Sequence, residues 1–132
     1  MKKLLLLTLF ALSSCSTLMD AYFMKYDPNE YAQIAEIRTT AEYSKESCGN
    51  QPEAQIRANQ LVRQTALFKN HTQYLPRNDK VIAAAKELDD MAQGLAAQYQ
   101  KGSVGPAFCK IKYDSIQKSA ELIQKTVGAK PR

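Results

Sequence analysis

Apolar and small side chains recur at steps of three and four along four successive segments of the sequence. This spacing marks one buried face of an α-helix. The first two stripes are Tyr31, Ile34, Ile37, Ala41, Ser44 and Cys48, then Ala54, Ala58, Leu61, Thr65, Phe68, Thr72 and Leu75. The other two are Val81, Ala84, Leu88, Met91, Leu95 and Tyr99, then Cys109, Tyr113, Ile116, Ala120, Ile123 and Val127. Because valine, isoleucine and threonine form no alternating runs, strands have little support, and the sequence predicts an all-α fold.

Prolines, glycines and capping residues separate these segments. A helix start is predicted with Asp27 as the cap, Pro28 in the first turn and Glu30 at the capping-box position. Asn78 or Asp79 is expected to cap the third helix. The predicted helices span 28–48, 52–75, 79–100 and 106–127 of a domain covering 27–128, and a short basic tail follows at 129–132. Since the connections are short, they favour an antiparallel, up-down-up-down four-helix bundle.

The N-terminus has the layout of an export signal. Lys2 and Lys3 give it a cationic start, and Leu4 to Leu12 form a nearly unbroken apolar run. That run is far too short to span a bilayer, which needs roughly 20 residues. A charged start with a short apolar core is typical of a cleaved leader, here residues 1–14.

The apolar run ends at Leu12-Ser13-Ser14-Cys15. This string resembles the lipobox of bacterial lipoproteins, in which an apolar residue and two small residues precede a cysteine. In that family the cysteine thiol receives a diacylglycerol, the leader is cleaved before it, and the new amino group is acylated. The resemblance, which covers residues 1–15 only, implies that Cys15 is the first mature residue and binds the membrane through acyl chains. The alternative is an ordinary secretory leader with a chance cysteine.

Ser16 follows the cysteine. In the enterobacterial form of the lipoprotein family an aspartate there retains the protein at the inner membrane. The resemblance therefore implies the outer membrane, with the periplasmic face favoured over the cell surface. Residues 15–26 form the expected lipidated tether, and its aromatic residues Tyr22, Phe23 and Tyr26 either lie in the membrane interface or pack on the domain. The sequence leaves both arrangements open.

Cys48 and Cys109 are the cysteines that remain after Cys15. In an oxidising compartment such as the periplasm, two remaining cysteines predict a disulfide. Cys48 ends the first predicted helix and Cys109 begins the fourth. In an up-down-up-down bundle these two positions lie at the same end, so the cysteine pattern and the helix pattern agree.

No pattern indicates catalysis, a metal site or a cofactor. His71 is the sole histidine, and without an acid or nucleophile nearby it is expected to be a surface or capping residue. Glu87, Asp89 and Asp90 are the densest acidic group and are expected on a solvated helix face. The sequence has neither a phosphate-binding glycine loop nor a nucleophile elbow. We therefore expect a protein that is not an enzyme and has no evident small-molecule substrate.

The formal net charge is +5, and the charges are interspersed along the chain. Such a distribution does not indicate a nucleic-acid partner. The C-terminal Lys130-Pro131-Arg132 is expected to be a frayed soluble tail, with contact to anionic lipid as the alternative. Asp114 and Lys118 are expected to form a stabilising i,i+4 pair. The lysines expected on the solvated side of the fourth helix are Lys110, Lys112, Lys118 and Lys125.

Seven tyrosines stand in a chain without tryptophan, and tyrosine is favoured at protein interfaces. Tyr43 lies off the stripe of the first helix, which makes it the candidate for an exposed partner contact. Peripheral packing with the hydroxyl group in water is the alternative.

These features together predict an interaction module, a lipid-anchored helical bundle that binds another envelope protein and is of the accessory, exclusion or inhibitor type. The alternative is a structural spacer or a phage-type lysis lipoprotein of the outer membrane. Lysis subunits tend to be proline-rich and poorly folded, and the predicted disulfide argues against that class. Fold analogy alone cannot choose between these roles.

Overall fold

The computed structural model describes residues 24–132. Within that range the chain forms four α-helices, one short 3-10 helix and no strand, so the all-α prediction is confirmed. The predicted leader at 1–14, Cys15 and most of the predicted tether lie outside the described residues. The elements are α1 (Pro28–Ser44), the 3-10 helix (Lys45–Gly49), α2 (Gln51–Thr72), α3 (Asp79–Lys101) and α4 (Pro106–Gly128).

The α-helical part of the first helix ends earlier than the sequence predicts. The Ser44 hydroxyl donates to the carbonyl oxygen of Thr40 at 2.5 Å, and the Ser47 hydroxyl donates to that of Ser44 at 2.6 Å. These hydroxyl groups compete with backbone amides for the carbonyls of the last turn. The chain therefore tightens into a 3-10 turn before Gly49.

Capping side chains or prolines start α1, α2 and α4, whereas the side-chain cap predicted for the third helix at Asn78 or Asp79 is not formed. The Asp27 carboxylate accepts the backbone N–H of Glu30 at 2.7 Å, and α1, α2 and α4 each carry a proline in the first turn. The capping side chain of α2, Asn50, was not singled out from the sequence; it accepts the N–H of Glu53 at 3.2 Å. Asn78 precedes α3 but makes no side-chain cap there.

The helices form an antiparallel ring, in which each packs on the next and α4 closes the ring against α1. The contacts of α1 with α4 and of α2 with α3 are the most extensive, and those of α3 with α4 are the least. This arrangement is the predicted four-helix bundle. Helices α3 and α4 therefore share the least contact of the four neighbouring pairs.

A disulfide joins Cys48 to Cys109, with their Cα atoms 5.7 Å apart, and so confirms the predicted pairing. It links the end of the 3-10 helix to the first turn of α4. The hydroxyl group of Tyr99 donates to the Cys109 sulfur at 3.0 Å. We call this end of the bundle the disulfide end, and the opposite end, where residue 24 enters and residue 132 leaves, the entry end.

A buried ion pair ties the helices together at the entry end. The Lys130 ammonium group binds the carboxylate of Glu30 and donates to the side-chain oxygen of Asn78 at 2.7 Å. Asn78 in turn donates to Glu30 at 2.6 Å and to the carbonyl oxygen of Thr72 at 3.2 Å. The prediction of a frayed tail is therefore wrong for Lys130, because its long side chain reaches back into the bundle. Glu30 is likewise turned inward, so it does not complete a capping box.

The core follows the predicted stripes closely in α1, α2 and α4, where only Tyr31 and Leu75 of the stripe residues are half-buried rather than buried. The third helix differs, since the stripe residues Ala84 and Met91 are only half-buried. Because α3 packs more extensively on α2 than on α4, its buried face is turned toward α2. The buried α3 residues that the stripe did not include are Ala85, Asp89, Ala92 and Ala96.

Candidate partner-binding surface

The acidic group on α3 is not a solvated face throughout, which corrects the expectation for Asp89. This side chain is fully buried, while Glu87 and Asp90 are exposed. The Asp89 carboxylate accepts from the Thr65 hydroxyl at 2.9 Å and from the Gln93 amide at 2.8 Å, and it binds the ammonium group of Lys69. These partners satisfy the hydrogen-bonding capacity of the Asp89 carboxylate. Asp89 therefore joins α3 to α2, and its carboxylate is not directed into an open site.

His71 has an acidic neighbour that the sequence did not indicate. Its Nε2 atom lies 3.1 Å from Asp27 Oδ1, which joins the end of α2 to the start of α1. Partial burial raises the pKa of the Asp27 carboxyl group, but hydrogen bonds from the Glu30 N–H and from His71 outweigh burial and hold the pKa below its usual value. The contact of Asp27 with His71 therefore supports the role of Asp27 as the cap of α1. Within residues 24–132 no cluster of histidine, cysteine and acidic side chains could hold a metal ion.

The seam between α3 and α4 contains two apolar depressions, which together we call the α3–α4 groove. One, of about 360 Å³, lies toward the disulfide end, and the other, of about 170 Å³, lies toward the entry end. Between them the Ser119 hydroxyl reaches the Met91 sulfur at 3.7 Å and bridges the two helices. The apolar residues of the first are Met91, Leu95, Phe108 and Ile116, and those of the second are Val81, Ala84, Leu122 and Ile123.

Large apolar side chains on α4 stand in solvent in and beside this groove. Phe108, Ile111 and Leu122 are 42%, 63% and 68% exposed. The Lys112 ammonium group lies 5.2 Å from the centroid of the Phe108 ring, where a cation is attracted by the ring face. Phe108 and Ile111 are about one turn apart, and Leu122 lies about 16 Å farther along α4. Exposed apolar residues thus accompany both depressions, and apolar groups at a groove mark an interaction surface more often than isolated residues do.

Gly94 lines the disulfide-end part of the groove. It lies inside α3, where glycine costs roughly 1 kcal/mol relative to alanine. A Cβ atom added there would meet nothing within 4 Å. The helix surface at Gly94 is therefore accessible to an approaching side chain or backbone.

Charged side chains are placed unevenly around the groove. Lys80 lines its entry-end part, and Lys112 and Asp90 line its disulfide-end part. Farther out on α4, the predicted pair of Lys118 with Asp114 is confirmed at 2.7 Å, and its hydrogen bond lowers the pKa of the Asp114 carboxyl group. The lysines that line the groove have no ion pair among the described residues.

Tyr43 is 62% exposed, so it lies on the surface as the off-stripe position predicts. Its contact with a partner stays a prediction. It stands near the end of α1, and the ring of helices places α1 opposite α3, so Tyr43 does not join the α3–α4 groove. Cys48 and Cys109 are buried in their disulfide, and Cys15 lies outside the described residues. The structure thus joins Cys48 and Cys109 as predicted and places Tyr43 outside the α3–α4 groove.

The sequence reasoning missed the groove-side residues Phe108, Ile111 and Leu122. The sequence does contain an indication of them, because all three are large apolar residues within α4 that fall outside its buried stripe. Residues off a buried stripe are expected to be polar, so an apolar set there indicates a second face.

Comparison with known proteins does not assign the chain to a family. No family model matches it, and neither curated proteins nor solved structures give a significant match. In residues 24–132 no helix has the length and apolar character needed to cross a membrane.

Proposed function

We propose that this chain is a lipid-anchored module of the bacterial cell envelope that binds another envelope protein through the α3–α4 groove. The lipobox-like Leu12-Ser13-Ser14-Cys15 supports an anchor at Cys15, and the absence of aspartate after it supports the outer membrane. The Cys48–Cys109 disulfide supports an exported protein, because such bonds persist in oxidising compartments.

The unfilled α3–α4 groove with its exposed apolar rim is the observation that carries the binding role. A neighbouring helix is the element that best fills the seam between two antiparallel helices, because its side chains can fit between theirs. The groove runs along α3 from Lys80 to Gln98, which at 1.5 Å per residue is roughly 27 Å. A partner helix lying along it would cross the Ser119–Met91 contact and place side chains in the depression on either side.

Charge restricts the kind of helix that fits. Lys80 lies toward one end of the groove and Lys112 toward the other, while Asp90 is the acidic side chain that lines it. The proposed occupant is an amphipathic helix of an envelope protein that presents an apolar ridge to the groove. It carries acidic side chains opposite Lys80 and Lys112, because charge complementarity orients the partner and speeds encounter.

Site-specific crosslinking in intact cells tests the surface. A photoreactive residue at Leu122 is expected to capture one envelope protein, whereas the same residue at Ile56, similarly exposed on α2, is not. The captured segment should be an acidic amphipathic helix. Equal capture from both positions would contradict the proposal, and capture of a second copy of this chain would reassign the groove to self-association.

A groove-filling variant provides the quantitative test. Gly94→Leu adds a side chain where the free protein has open space, so the fold is expected to tolerate it. Affinity for the purified partner, measured by titration calorimetry, should fall at least about tenfold, or 1.4 kcal/mol. Ile56→Leu is the matched control and should bind normally. Unchanged affinity in Gly94→Leu would place the contact elsewhere.

The anchor has a separate test. With Cys15→Ser, the precursor is expected to remain uncleaved and to incorporate no labelled palmitate. Palmitate that still enters this variant would contradict lipidation at Cys15.

A further inference from the structure

Both ends of the described chain are joined at the entry end of the bundle. The backbone N–H of Tyr26 donates to the carbonyl oxygen of Pro131 at 2.9 Å. The Tyr26 ring packs against Tyr31, with centroids 6.0 Å apart, and the Arg132 guanidinium group lies 4.9 Å from the Tyr26 centroid. The last residues before α1 are therefore held on the domain, and the N-terminal segment approaches the bundle at this end.

The turn between α2 and α3 projects an aromatic side chain at the same end. Tyr74 is 82% exposed, the largest value among the exposed large hydrophobic residues of the described chain. The chain reverses after it through Arg77, whose φ of 55° is left-handed. Tyr74 therefore lies at the tip of a tight turn rather than on a helix side.

The exposed charges of the entry end are mainly positive. Lys25, Lys80 and Arg132 are exposed there, and Asp79 is the exposed acidic residue of the described segments at this end. The other two carboxylates have partners: Glu30 is buried against Lys130, and Asp27 caps α1 and contacts His71. Internal pairing of these acids leaves the exposed charges of the entry end, which also carries Tyr74, mainly basic.

We propose that the entry end rests on an anionic lipid surface, with Tyr74 at the level of the headgroups and Lys25, Lys80 and Arg132 facing them. The proposal rests on lipid anchoring at Cys15. Tyrosine favours the membrane–water interface, and lysine and arginine side chains close to an anionic lipid surface are attracted to it. The residues between Cys15 and Tyr26 reach at most ~40 Å when extended, so the anchor keeps this end within reach of the lipid.

This orientation sets the bundle upright. The helices then point away from the membrane, and the disulfide end with Tyr43 stands roughly 30 Å above the entry end. The α3–α4 groove runs along the same axis, so a partner helix in it also stands upright, starting close to the lipid.

A tryptophan placed at Tyr74 tests the contact, because the chain contains no tryptophan of its own. Full-length, acylated Tyr74→Trp protein is reconstituted in vesicles of phosphatidylethanolamine and phosphatidylglycerol. The tryptophan emission of this variant should shift to shorter wavelength. A lipid with a spin label at the level of the headgroups should quench it severalfold more than it quenches the matched control Tyr43→Trp. Replacing phosphatidylglycerol by phosphatidylcholine should reduce the quenching, since the basic side chains then lose their attraction to the lipid.

The outcomes separate the orientation from the anchor. If the protein floats with the vesicles but the Tyr74→Trp variant is quenched no more than Tyr43→Trp, the orientation is wrong and the anchor stands. If the protein does not float, anchoring and orientation both fail. If the Tyr74→Trp variant is quenched equally in vesicles with phosphatidylglycerol and in vesicles with phosphatidylcholine, the role given to Lys25, Lys80 and Arg132 is refuted.

Discussion

Replacing Lys130 by methionine should destabilise the bundle far more than a change two residues from the C-terminus ordinarily does. The side chains of Lys130 and Glu30 are 2% and 0% exposed. Methionine preserves most of the buried aliphatic length but removes the ammonium group. The Glu30 carboxylate then keeps one hydrogen bond from Asn78 and has no compensating charge in the interior.

The expected loss follows from that burial. Removing one partner of a buried pair costs about 3–5 kcal/mol, because the other charge is left uncompensated. The pair of Lys125 with Glu121, one turn earlier on α4, provides the comparison, since its side chains are 72% and 44% exposed. An exposed i,i+4 pair contributes only about 0.3–0.5 kcal/mol, so Lys125→Met should cost less than 1 kcal/mol.

Equilibrium urea unfolding followed by far-ultraviolet circular dichroism measures both losses. Glu30→Gln combined with Lys130→Met should recover most of the stability, because the amide oxygen still accepts from Asn78 and no charge is buried. The reasoning fails if Lys130→Met and Lys125→Met cost the same. It also fails if the double variant is no more stable than Lys130→Met alone.

Four further changes have defined outcomes in the same unfolding assay. Cys48→Ser with Cys109→Ser opens a loop of sequence separation 61 and should cost about 4 kcal/mol, and reductant should have no further effect on that variant. Asp89→Ala removes a buried carboxylate with three partners and should cost about 2 kcal/mol; a loss under 0.5 kcal/mol would contradict its buried role. Gly94→Ala should stabilise the free protein by up to about 1 kcal/mol, and destabilisation would mean that the site is not open. Because the folded-state pKa of Asp27 is lowered, its carboxylate stabilises the fold above the unfolded pKa, and this contribution is lost as the pH falls through the folded value. Asp27→Asn keeps the cap, so the stability of this variant should fall less than that of the parent as the pH drops below the ordinary carboxyl pKa of 3.8, and an unchanged pH dependence would contradict this.

The helices and the disulfide could be predicted because their signals are local or mutually consistent. Proline starts, glycine stops and steps of three and four define each helix without reference to the others. The pairing of Cys48 with Cys109 then follows from the order of the helices.

The buried polar groups could not be predicted in this way. Glu30 and Lys130 are 100 residues apart, and nothing in either local sequence shows that they meet. Asp89 looked like part of a solvated acidic face, since its partners Thr65 and Lys69 come from α2. Whether such a group is buried depends on which residues of the neighbouring helices lie opposite it. That arrangement forms only when the helices pack together.

The α3–α4 groove could not be predicted from the sequence for a related reason. The α3 stripe was predicted around Ala84 and Met91, whereas packing turns the helix toward α2 and leaves both half-buried. The stripe did not include Ala85, Ala92 and Ala96, which are the alanines that α3 buries.

The disulfide also determines how the domain would carry mechanical load. Tension entering through the N-terminal segment would peel α1 from the entry end, releasing the contacts of Tyr26 and Glu30 first. Peeling would stop at Cys48, where the covalent bond transfers the tension directly to α4. When the opposing force acts at the C-terminus, the chain between the two cysteines, including α2 and α3, lies off the load path, and α1 and α4 carry the tension. The roughly 20 residues before Cys48 can then extend to about 70 Å and the roughly 20 after Cys109 by a similar length, whereas a partner bound in the α3–α4 groove would load α3 and α4 directly.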